Sequence, residues 1–573
     1  MNAKRLLDLY DRVADAPDAI AGLRRFVLNL AVRGKLVPQD PRDEHASELL
    51  KLVETERKER IRRGKIRRSK PLASIDDVPY DPPFGWVWIP LGETGNIFTG
   101  NSINAQTREQ LEKEQEGRPF IATKDVGYGL DRIDYANGLL VEFSDERFKI
   151  AQADSVLICA EGGSAGRKTS LTDREICFGN KLLANETWSV VSSRFVLYIY
   201  LSDFFYAQFS EKMTGVIGGI SIRNFIQLPF PLPPLAEQRR IVAKVDELMA
   251  LLDWLETART AREATRDRLT AASLARLTAP ETEAEDFPAH ARFVLDALPA
   301  LTARSDQIKQ LRQNILKLAV RGKLVPQDPS DKPATELLKR VAAEKSDQIS
   351  SRRKRKAGPA TFRHLSVSVP ETWAWGELGD ISLLLHYGYT ASASKTEKDV
   401  RLLRITDIQD DRVDWSSVPG CKIDSKTFSK YALEPGDLLI ARTGGTIGKT
   451  FLVSEVPVKS VFASYLIRVQ PAHSLYAAYL KLFCGSDVYW DQLRLGSRGG
   501  AQPNVNGKTL GNMKIPLPPL AEQHRIVAKV DELMALLDRL EASLATADIT
   551  RQRLLKALLH EALTPDEKRE AAA

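Results

Sequence analysis

The sequence predicts an α+β protein built from two tandem copies of one unit, each with an α/β domain and a long helix. Residues 231–253 (PLPPLAEQRRIVAKVDELMALLD) recur at 516–538 with one change, Arg239 to His524. Residues 30–41 (LAVRGKLVPQDP) recur unchanged at 318–329. The offsets, 285 and 288 residues, are each about half of the 573-residue chain. Between these matching frames the copies diverge, which predicts one scaffold carrying two different reading domains and an internal pseudo-two-fold.

Composition narrows the class of protein. Hydrophobic residues make up 43% and charged residues 27%, as in ordinary globular proteins, and a net charge of +7 mildly favours nucleic-acid partners. The apolar run at 195–201 is too short to span a bilayer, and the N-terminus has no apolar signal core. No CxxC pair occurs, so we expect no disulfide bond and no zinc site, and we expect the protein to be cytoplasmic. The four cysteines are Cys159, Cys177, Cys421 and Cys484.

Each copy opens with two helices. Spaced apolar residues predict a helix over 4–30 and its counterpart over 308–318, each followed by the glycine and proline of GKLVP. A second helix is predicted over 46–56 and over 334–345, where both copies carry ELLK. A basic run then leads to the insert. We therefore expect helical segments with basic linkers at 1–74 and 281–360.

The inserts, at 75–230 and 361–515, read as α/β domains. Each starts with a tryptophan pair, Trp86 and Trp88 or Trp373 and Trp375. Strand-like runs at 156–160 and 438–442 each lead into a glycine-rich loop. An aromatic-rich segment, 194–213 or 474–493, predicts one helix that closes each insert.

A Pro-Pro pair then begins a long helix, expected within 231–280 and 516–573. Apolar residues alternate steps of four and three, which predicts a coiled-coil seam that holds two domains apart. The alternative is an ordinary core helix of the insert domain. The first long helix is followed in sequence by the short helix that opens the second copy. The second long helix ends the chain, so its corresponding partner would be the N-terminal helix, and the two termini should then meet. The seam residues are Ile241, Val245, Leu248, Leu252 and Leu255, then Ile526, Val530, Leu533, Leu537, Leu540, Leu544, Ala547, Leu554 and Leu558.

The repeated order of helix, GKLVPQ, Trp-rich insert, IPLPPLAEQ and long helix resembles the specificity subunit of type I restriction–modification systems. The resemblance covers nearly the whole chain. It implies two target-recognition domains, each reading one half of a split DNA site, and two long antiparallel helices that dock two methyltransferase subunits. Such a complex methylates adenine at N6 and, with motor–nuclease subunits, restricts DNA. The resemblance implies no cofactor on this chain, with S-adenosylmethionine, ATP and Mg²⁺ on the partner subunits.

Two basic runs at matching positions are predicted to bind DNA phosphates. The first, at 57–70, has nine positive charges against one glutamate. Such runs give affinity without sequence information. The alternative is a solvated linker. The candidates are Arg57, Arg60, Arg62, Arg63, Lys65, Arg67, Arg68 and Lys70, and in the second copy Arg352, Arg353, Lys354, Arg355 and Lys356.

Base reading is expected from Arg, Lys, Asn and Gln side chains on glycine-rich insert loops, which are able to reach base edges. Each could instead be a plain loop residue. The candidates are Arg167, Lys168, Arg223, Asn224, Arg442, Lys449, Arg498, Gln502 and Asn504.

The long-helix repeat also keeps positions that a coiled-coil seam does not constrain. One reason would be that each copy docks the same partner surface. Recent duplication or gene conversion would leave the same trace. The candidate docking residues are Glu237, Gln238, Lys244, Glu247, Glu522, Gln523, Lys529 and Glu532.

Two motifs suggest an enzyme but lack their context. Residues 81–84 (DPPF) match an amino-methyltransferase tetrapeptide without the upstream glycine-rich cofactor loop. Residues 443–450 (TGGTIGKT) end like a phosphate-binding loop, but Thr443 stands where that motif requires glycine. We therefore expect a non-catalytic chain. The alternatives are a stand-alone adenine DNA methyltransferase and a structural coiled-coil adaptor.

Overall fold

The computed structural model describes residues 15–16, 18–68, 70–215, 218–278, 289–290, 292–294, 296–297, 302–349, 368–394, 396–397, 399–496 and 504–563. The second predicted basic run, 352–356, and the candidates Arg498 and Gln502 lie outside these residues. Two compact units are present. Unit 1 comprises 1–261 and 548–573, and unit 2 comprises 262–547.

Unit 1 places two helices before a mixed domain. The strands β2, β9, β6 and β7 form an antiparallel sheet in that order, and β4, β3, β8 and β5 form a second sheet in which β3 and β8 are parallel. The pair β1–β10 closes the domain just before the first long helix, α7. The helices are α1 (Ala19–Val32), α2 (Ala46–Arg62), α3 (Ala105–Leu111), α4 (Ser193–Tyr200), α5 (Asp203–Glu211), α6 (Ile222–Phe225) and α7 (Leu235–Thr278). The strands are β1 (Val87–Pro90), β2 (Gly95–Thr99), β3 (Arg118–Ile121), β4 (Leu140–Val141), β5 (Ile150–Ala151), β6 (Val156–Cys159), β7 (Thr169–Leu171), β8 (Ile176–Phe178), β9 (Leu182–Thr187) and β10 (Pro229–Leu232).

Unit 2 repeats this plan although its insert sequence differs. Its antiparallel sheet has the equivalent order β12, β19, β16, β17; β13 and β18 are parallel, and β11–β20 closes the domain. The helices are α8 (Ser305–Ala319), α9 (Ala334–Ile349), α10 (Ser425–Tyr431), α11 (Ala477–Phe483), α12 (Asp487–Gly496), α13 (Gly507–Gly511) and α14 (Leu520–Leu563). The strands are β11 (Ala374–Glu377), β12 (Ser382–Tyr387), β13 (Arg401–Leu403), β14 (Ile408–Gln409), β15 (Arg412–Val413), β16 (Leu438–Ala441), β17 (Thr450–Leu452), β18 (Ser460–Phe462), β19 (Leu466–Pro471) and β20 (Lys514–Leu517).

Strand β6 shows why the apolar runs are continuous rather than alternating. Its four residues are all buried, and successive side chains enter opposite cores. Val156 and Ile158 join the cluster around the helices, whereas Leu157 and Cys159 join the cluster under the second sheet. Strand β16 divides its residues between two cores in the same way. Each domain is therefore a central sheet covered on both faces.

The helix predicted to close each insert is in fact two short helices. In unit 1, α4 ends at Tyr200 and α5 begins at Asp203, because the buried Ser202 accepts a hydrogen bond from the backbone N–H of Phe205 and caps the new helix. Ser486 makes the equivalent cap before α12. The prediction of one continuous helix over 194–213 and 474–493 was wrong.

The long helices run antiparallel. Unit 1 holds the start of α7 and the end of α14, and unit 2 holds the end of α7 and the start of α14. In unit 1, Ala16 and Ala19 pack against Leu555 and Leu558, as the order of the helices predicts. The predicted fold class, with two α/β domains, two long antiparallel helices and an internal duplication, is confirmed.

The same ion pairs hold a short helix to a long one in both units. Arg24 of α1 pairs with Asp253 and Glu256 of α7 at 2.6 and 2.8 Å. Arg312 of α8, at the matching position, pairs with Asp538 and Glu541 of α14 at 2.7 and 3.0 Å. None of the helices described is long and apolar enough to cross a membrane.

Candidate nucleic-acid interface

Each domain is anchored to its long helix by a buried glutamate. In unit 1, Trp86 Nε1 donates to Glu237 Oε2 at 2.9 Å and Gln39 Nε2 donates to Oε1 at 3.0 Å. Glu237 is 1% exposed, and burial raises its pKa above the ordinary value. Through these bonds the repeat at 30–41, the tryptophan pair and the repeat at 231–253 meet at one point.

The same anchor recurs in unit 2. Glu522 is also buried, and it accepts hydrogen bonds from Trp373 Nε1 at 3.0 Å and from Gln327 Nε2 at 2.6 Å. The two copies therefore keep the same residue types at three positions that are distant in sequence but in contact in the fold.

Four of the eight predicted docking residues are consequently interior residues. Gln238 accepts from the Ser192 N–H at 2.8 Å, and Gln523 accepts from the Tyr476 N–H at 3.1 Å. Both glutamines also donate to backbone carbonyls just before their helices, and both are fully buried. The docking prediction was therefore wrong for four residues, whose identity is explained by contacts within the chain: Glu237, Gln238, Glu522 and Gln523.

The other four predicted docking residues lie on the surface. Lys244 pairs with Glu247 at 2.8 Å, and Lys529 pairs with Glu532 at 2.9 Å. Each of these side chains is at least two-fifths exposed. They remain candidates for a contact outside the chain.

Some cations of the basic run at 57–70 are held in contacts within the domain, and the others are accessible on the surface. Arg57 pairs with Glu93, and Arg60 pairs with Glu56 at 2.5 Å. Both guanidinium groups lie over the Trp188 ring, 5.6 and 5.0 Å from its centre. These two arginines hold α2 against the domain, a role that the sequence did not reveal.

The remaining cations of the run are accessible. Arg62 and Arg63 are exposed and share the carboxylate of Glu59 on the surface of α2, an arrangement that binds weakly in water. Beyond the helix, four exposed cations have no carboxylate partner among the residues that the structure describes: Lys65, Arg67, Arg68 and Lys70.

The glycine-rich loops after β6 and β16 connect antiparallel strands. Gly166 has φ +71° and packs on Phe209, and Gly448 has φ +81° and packs on Leu493 and Trp490. A β-carbon at Gly448 would lie 2.1 Å from Leu493 Cδ2. Because β17 rather than a helix follows the loop at 443–450, it lacks the strand–loop–helix geometry of a nucleotide phosphate loop.

The base-reading candidates of unit 1 lie on the loop at 161–168 and on α6. Arg167 is exposed, donates to Tyr206 Oη at 2.9 Å and stacks on that ring. Lys168 donates to the Thr123 and Lys124 carbonyl oxygens at 3.2 and 3.3 Å, so its amino group is used inside the domain. Two further candidates, Arg223 and Asn224, are exposed on α6.

The candidates of unit 2 gather around the loop at 442–449. The guanidinium of Arg442 stacks on Tyr387, 4.6 Å from the ring centre. Asn504 is exposed and forms a β-bridge with Thr443, the residue after Arg442. Lys449 is exposed at the end of the same loop. The structure thus brings three predicted readers of unit 2 to one loop cluster.

The DPPF tetrapeptide at 81–84 has a packing role. Pro83 covers Gly34, whose added β-carbon would lie 2.5 Å from Pro83 Cγ, and its carbonyl accepts from the Trp86 N–H at 3.1 Å. Pro370 covers Gly322 in the same manner without a DPPF sequence. Among the described side chains no cluster of His, Cys, Asp or Glu could hold a metal ion.

The four cysteines are buried free thiols. Burial raises the pKa of Cys177 to about 11 and that of Cys484 to about 12, so these thiols stay protonated near neutral pH.

Comparison with known proteins identifies the family of the chain. The family model for the type I restriction modification DNA specificity domain matches residues 83–262 and 370–547. The EcoAI specificity subunit of Escherichia coli is 31% identical, over 97% of this chain and 95% of that protein. The EcoEI specificity subunit of E. coli is 30% identical over the same shares of the two chains. A solved HsdS subunit from Thermoanaerobacter tengcongensis aligns over 86% of this chain and 100% of its own, with 18% identity and a TM-score of 0.45. The chain therefore belongs to the family of type I restriction–modification specificity subunits, and it is a non-catalytic DNA-recognition subunit rather than a stand-alone methyltransferase.

Proposed function

We propose that the chain reads a bipartite duplex target, with the domain at 75–230 reading one half-site and the domain at 361–515 reading the other. One observation carries this proposal: two copies of one scaffold, with the same sheet order and the same Trp–Glu anchor, present unlike polar residues on their loops. A conserved frame with different loop side chains suits two modules that recognise different sequences.

Sequence discrimination is assigned to the fully or partly exposed members of the loop clusters. Arg167 and Arg442 are each held by stacking on a tyrosine, which limits the side-chain freedom that binding would otherwise have to remove. An arginine held in this way is suited to a bidentate bond to guanine O6 and N7. Asn504 and Asn224 are suited to adenine.

Affinity is assigned to cations outside the loops. Four exposed cations of the first basic run would neutralise backbone phosphates: Arg62, Arg63, Lys65 and Arg68. The run at 352–356 occupies the equivalent sequence position before the second domain and has the same proposed role.

Two equivalent surface patches, one on each long helix, are assigned as the binding sites of the two methyltransferase subunits. On α7 the exposed Leu251 lies on the same helix face as Lys244 and Glu247, and on α14 the exposed Leu536 lies beside Lys529 and Glu532. An exposed leucine beside charged residues at identical positions suits one partner surface bound twice. The family's subunits carry no cofactor of their own. S-adenosylmethionine, ATP and Mg²⁺ would belong to the methyltransferase and motor–nuclease partners.

The test of base reading uses one arginine from each domain. Methylated adenines are mapped on genomic DNA treated with complexes that carry Arg167→Ala or Arg442→Ala. Loss of one bidentate contact costs about 1–3 kcal/mol at the base that it reads. We expect each variant to relax one position in one half-site and to leave the other half intact. If one variant relaxed both halves, the domains would not read independently.

The test of docking counts partner subunits by native mass spectrometry. Lys244→Glu should remove one methyltransferase subunit, Lys529→Glu should remove the other, and the double variant should remove both. Lys113→Glu is the matched control, because Lys113 also forms an exposed pair, with Glu109 at 2.9 Å, but lies in the turn just after α3 and not on a long helix. Full occupancy in the double variant would overturn this docking surface.

A further inference from the structure

A cavity of about 390 Å³ lies in unit 1 between the end of the basic linker and the recognition domain. Its walls come from five separate parts of the sequence, including Arg57 of α2. The linker contributes Arg67 and Lys70, the start of the domain contributes Glu93, and the segment around α6 contributes Arg223. The buried Trp188 also lines it. The volume is within the range of about 300–1,000 Å³ that is typical of ligand pockets.

The linker is fixed on both sides of the cavity by apolar contacts. Ile66 packs against the main core of unit 1. Leu72 lies against Gly92, where an added β-carbon would be 2.6 Å from Leu72 Cδ1. Arg67 and Lys70 lie between these two contacts and line the cavity. A freely solvated linker would not be held at both ends, so the position of these cations follows from the fold.

The cavity carries an excess of positive charge. Four cations line it, Arg57, Arg67, Lys70 and Arg223, against the single carboxylate of Glu93. Glu93 is already paired with Arg57. The other three cations have no ion-pair partner within the part of the chain that the structure describes. Like charges gathered in one concave site repel each other, and an anion between them removes that cost.

The neutral groups of the cavity also suit an oxyanion. The amide side chains of Asn96 and Gln227 line it. Asn96 Nδ2 donates to Glu186 Oε2 at 3.4 Å, so its second N–H, together with the amide of Gln227, is able to donate to ligand oxygen atoms. Arg67 and Arg223 offer planar guanidinium groups, which bind phosphate oxygens in pairs. Both arginines are exposed, so a phosphate that is part of a long polymer is able to reach them.

Unit 2 keeps part of this set of residues at the equivalent positions. Lys508 on α13 stands where Arg223 stands on α6, and Asn512 stands where Gln227 stands. The pair of Lys345 with Asp380 replaces that of Arg57 with Glu93. Because the inserts otherwise diverge, retention of a cation and an amide at these places favours a shared role.

We propose that the cavity of unit 1 binds a phosphate group of the DNA backbone, gripped jointly by the linker through Arg67 and Lys70 and by the recognition domain through Arg223. This inference rests on the proposed function for its source of phosphate. Its consequence is mechanical. One phosphate ties the linker to the domain, so that backbone contact and base reading share one rigid frame.

The test is a double-mutant cycle in the full chain assembled with its methyltransferase partners. Affinity for a random-sequence duplex is measured for Arg67→Ala, Arg223→Ala and the double variant across a salt series. Each cavity cation lost should flatten the slope of log K against log[salt] by up to about 0.9. Because both arginines grip one phosphate, their effects should be non-additive, with a coupling of at least about twofold in affinity. Arg68→Ala is the matched control, because Arg68 is exposed on the same linker and does not line the cavity; with Arg223→Ala it should be additive.

A second arm distinguishes DNA from free phosphate. Thermal stabilisation of the complex by inorganic phosphate, at constant ionic strength, is compared between the parent, Arg67→Ala, Arg223→Ala and Arg68→Ala. The proposal is supported if the two arginines are coupled in DNA binding and if stabilisation by phosphate is lost only in the two cavity variants. Loss of phosphate stabilisation without coupling on DNA assigns the cavity to a free phosphate and overturns the DNA source. Additive effects on DNA with unchanged phosphate stabilisation overturn the site. A complex that shows the coupling but prefers no sequence would instead refute the proposed function and leave the cavity standing.

Discussion

The Glu237 anchor gives the sharpest prediction about stability. Glu237→Ala removes the acceptor of two hydrogen bonds and leaves the indole N–H of the buried Trp86 without a partner. A buried donor left unsatisfied costs about 1–3 kcal/mol. The half-buried Gln39 regains water more easily and adds less. We expect a loss of about 2 kcal/mol, equivalent to a fall of about 3 °C in the Tm of the transition that involves unit 1, given the size of that unit.

The assay is differential scanning calorimetry of the full chain. The matching substitution Glu522→Ala should lower the transition of unit 2 by a similar amount, because Trp373 and Gln327 lose the same acceptor. Glu247→Ala is the control, since that carboxylate is exposed and its pair with Lys244 is worth at most about 1 kcal/mol. If Glu237→Ala shifted the transition no more than the control did, the anchor would not hold the domain to the helix.

The same residue predicts a pH dependence. Burial raises the pKa of Glu237 above its ordinary value of 4.5, so the folded protein holds this proton more tightly than the unfolded chain does. The resulting stability is fully present below the unfolded pKa and is lost as pH rises through the folded pKa. Glu237→Gln should remove this decline from denaturant unfolding measured between pH 4 and 7. A decline of the same size in the variant would mean that other groups cause it.

Two further predictions concern the motifs. Gly448→Ala should destabilise unit 2 by about 2–4 kcal/mol in urea unfolding, because φ is +81° and the new methyl group meets Leu493. Gly445→Ala is the control and should cost less than about 1 kcal/mol, because no atom lies within 4 Å of the added β-carbon. Equal losses would refute the packing role of Gly448. Replacing both Asp81 and Phe84 with Ala should leave methylation by the assembled complex within a few-fold, because this segment packs on Gly34 in the loop after α1. A loss of several orders of magnitude with assembly intact would contradict a non-catalytic chain.

The repeat was enough to predict the architecture. Identical segments half a chain apart gave two units, and a regular apolar seam gave the long helices, because such patterns depend on periodicity alone. The break at Ser202 was missed because both sides of it are aromatic and apolar, and a single capping hydrogen bond decides where the second helix begins.

The causes of conservation between the copies were harder to predict. Glu237 and Lys244 recur equally well, yet one is buried against Trp86 and the other is exposed. A repeated residue looks the same in sequence whether it contacts the interior or a partner. The cavity was also hidden, because Arg67 and Arg223 lie far apart in the chain and only the folded linker brings them to one site.

Independence of the two recognition domains is tested most directly by exchange. Residues 75–230 are replaced by the corresponding domain of a relative that has a different target, and the methylated adenines made by the assembled complex are mapped across a genome. The matching scaffold and the conserved anchor should let the new domain dock normally. We expect one half of the bipartite target to change to that of the relative and the other half to stay the same. A change in both halves, or in neither with the complex fully assembled, would contradict the assignment of one half-site to each domain.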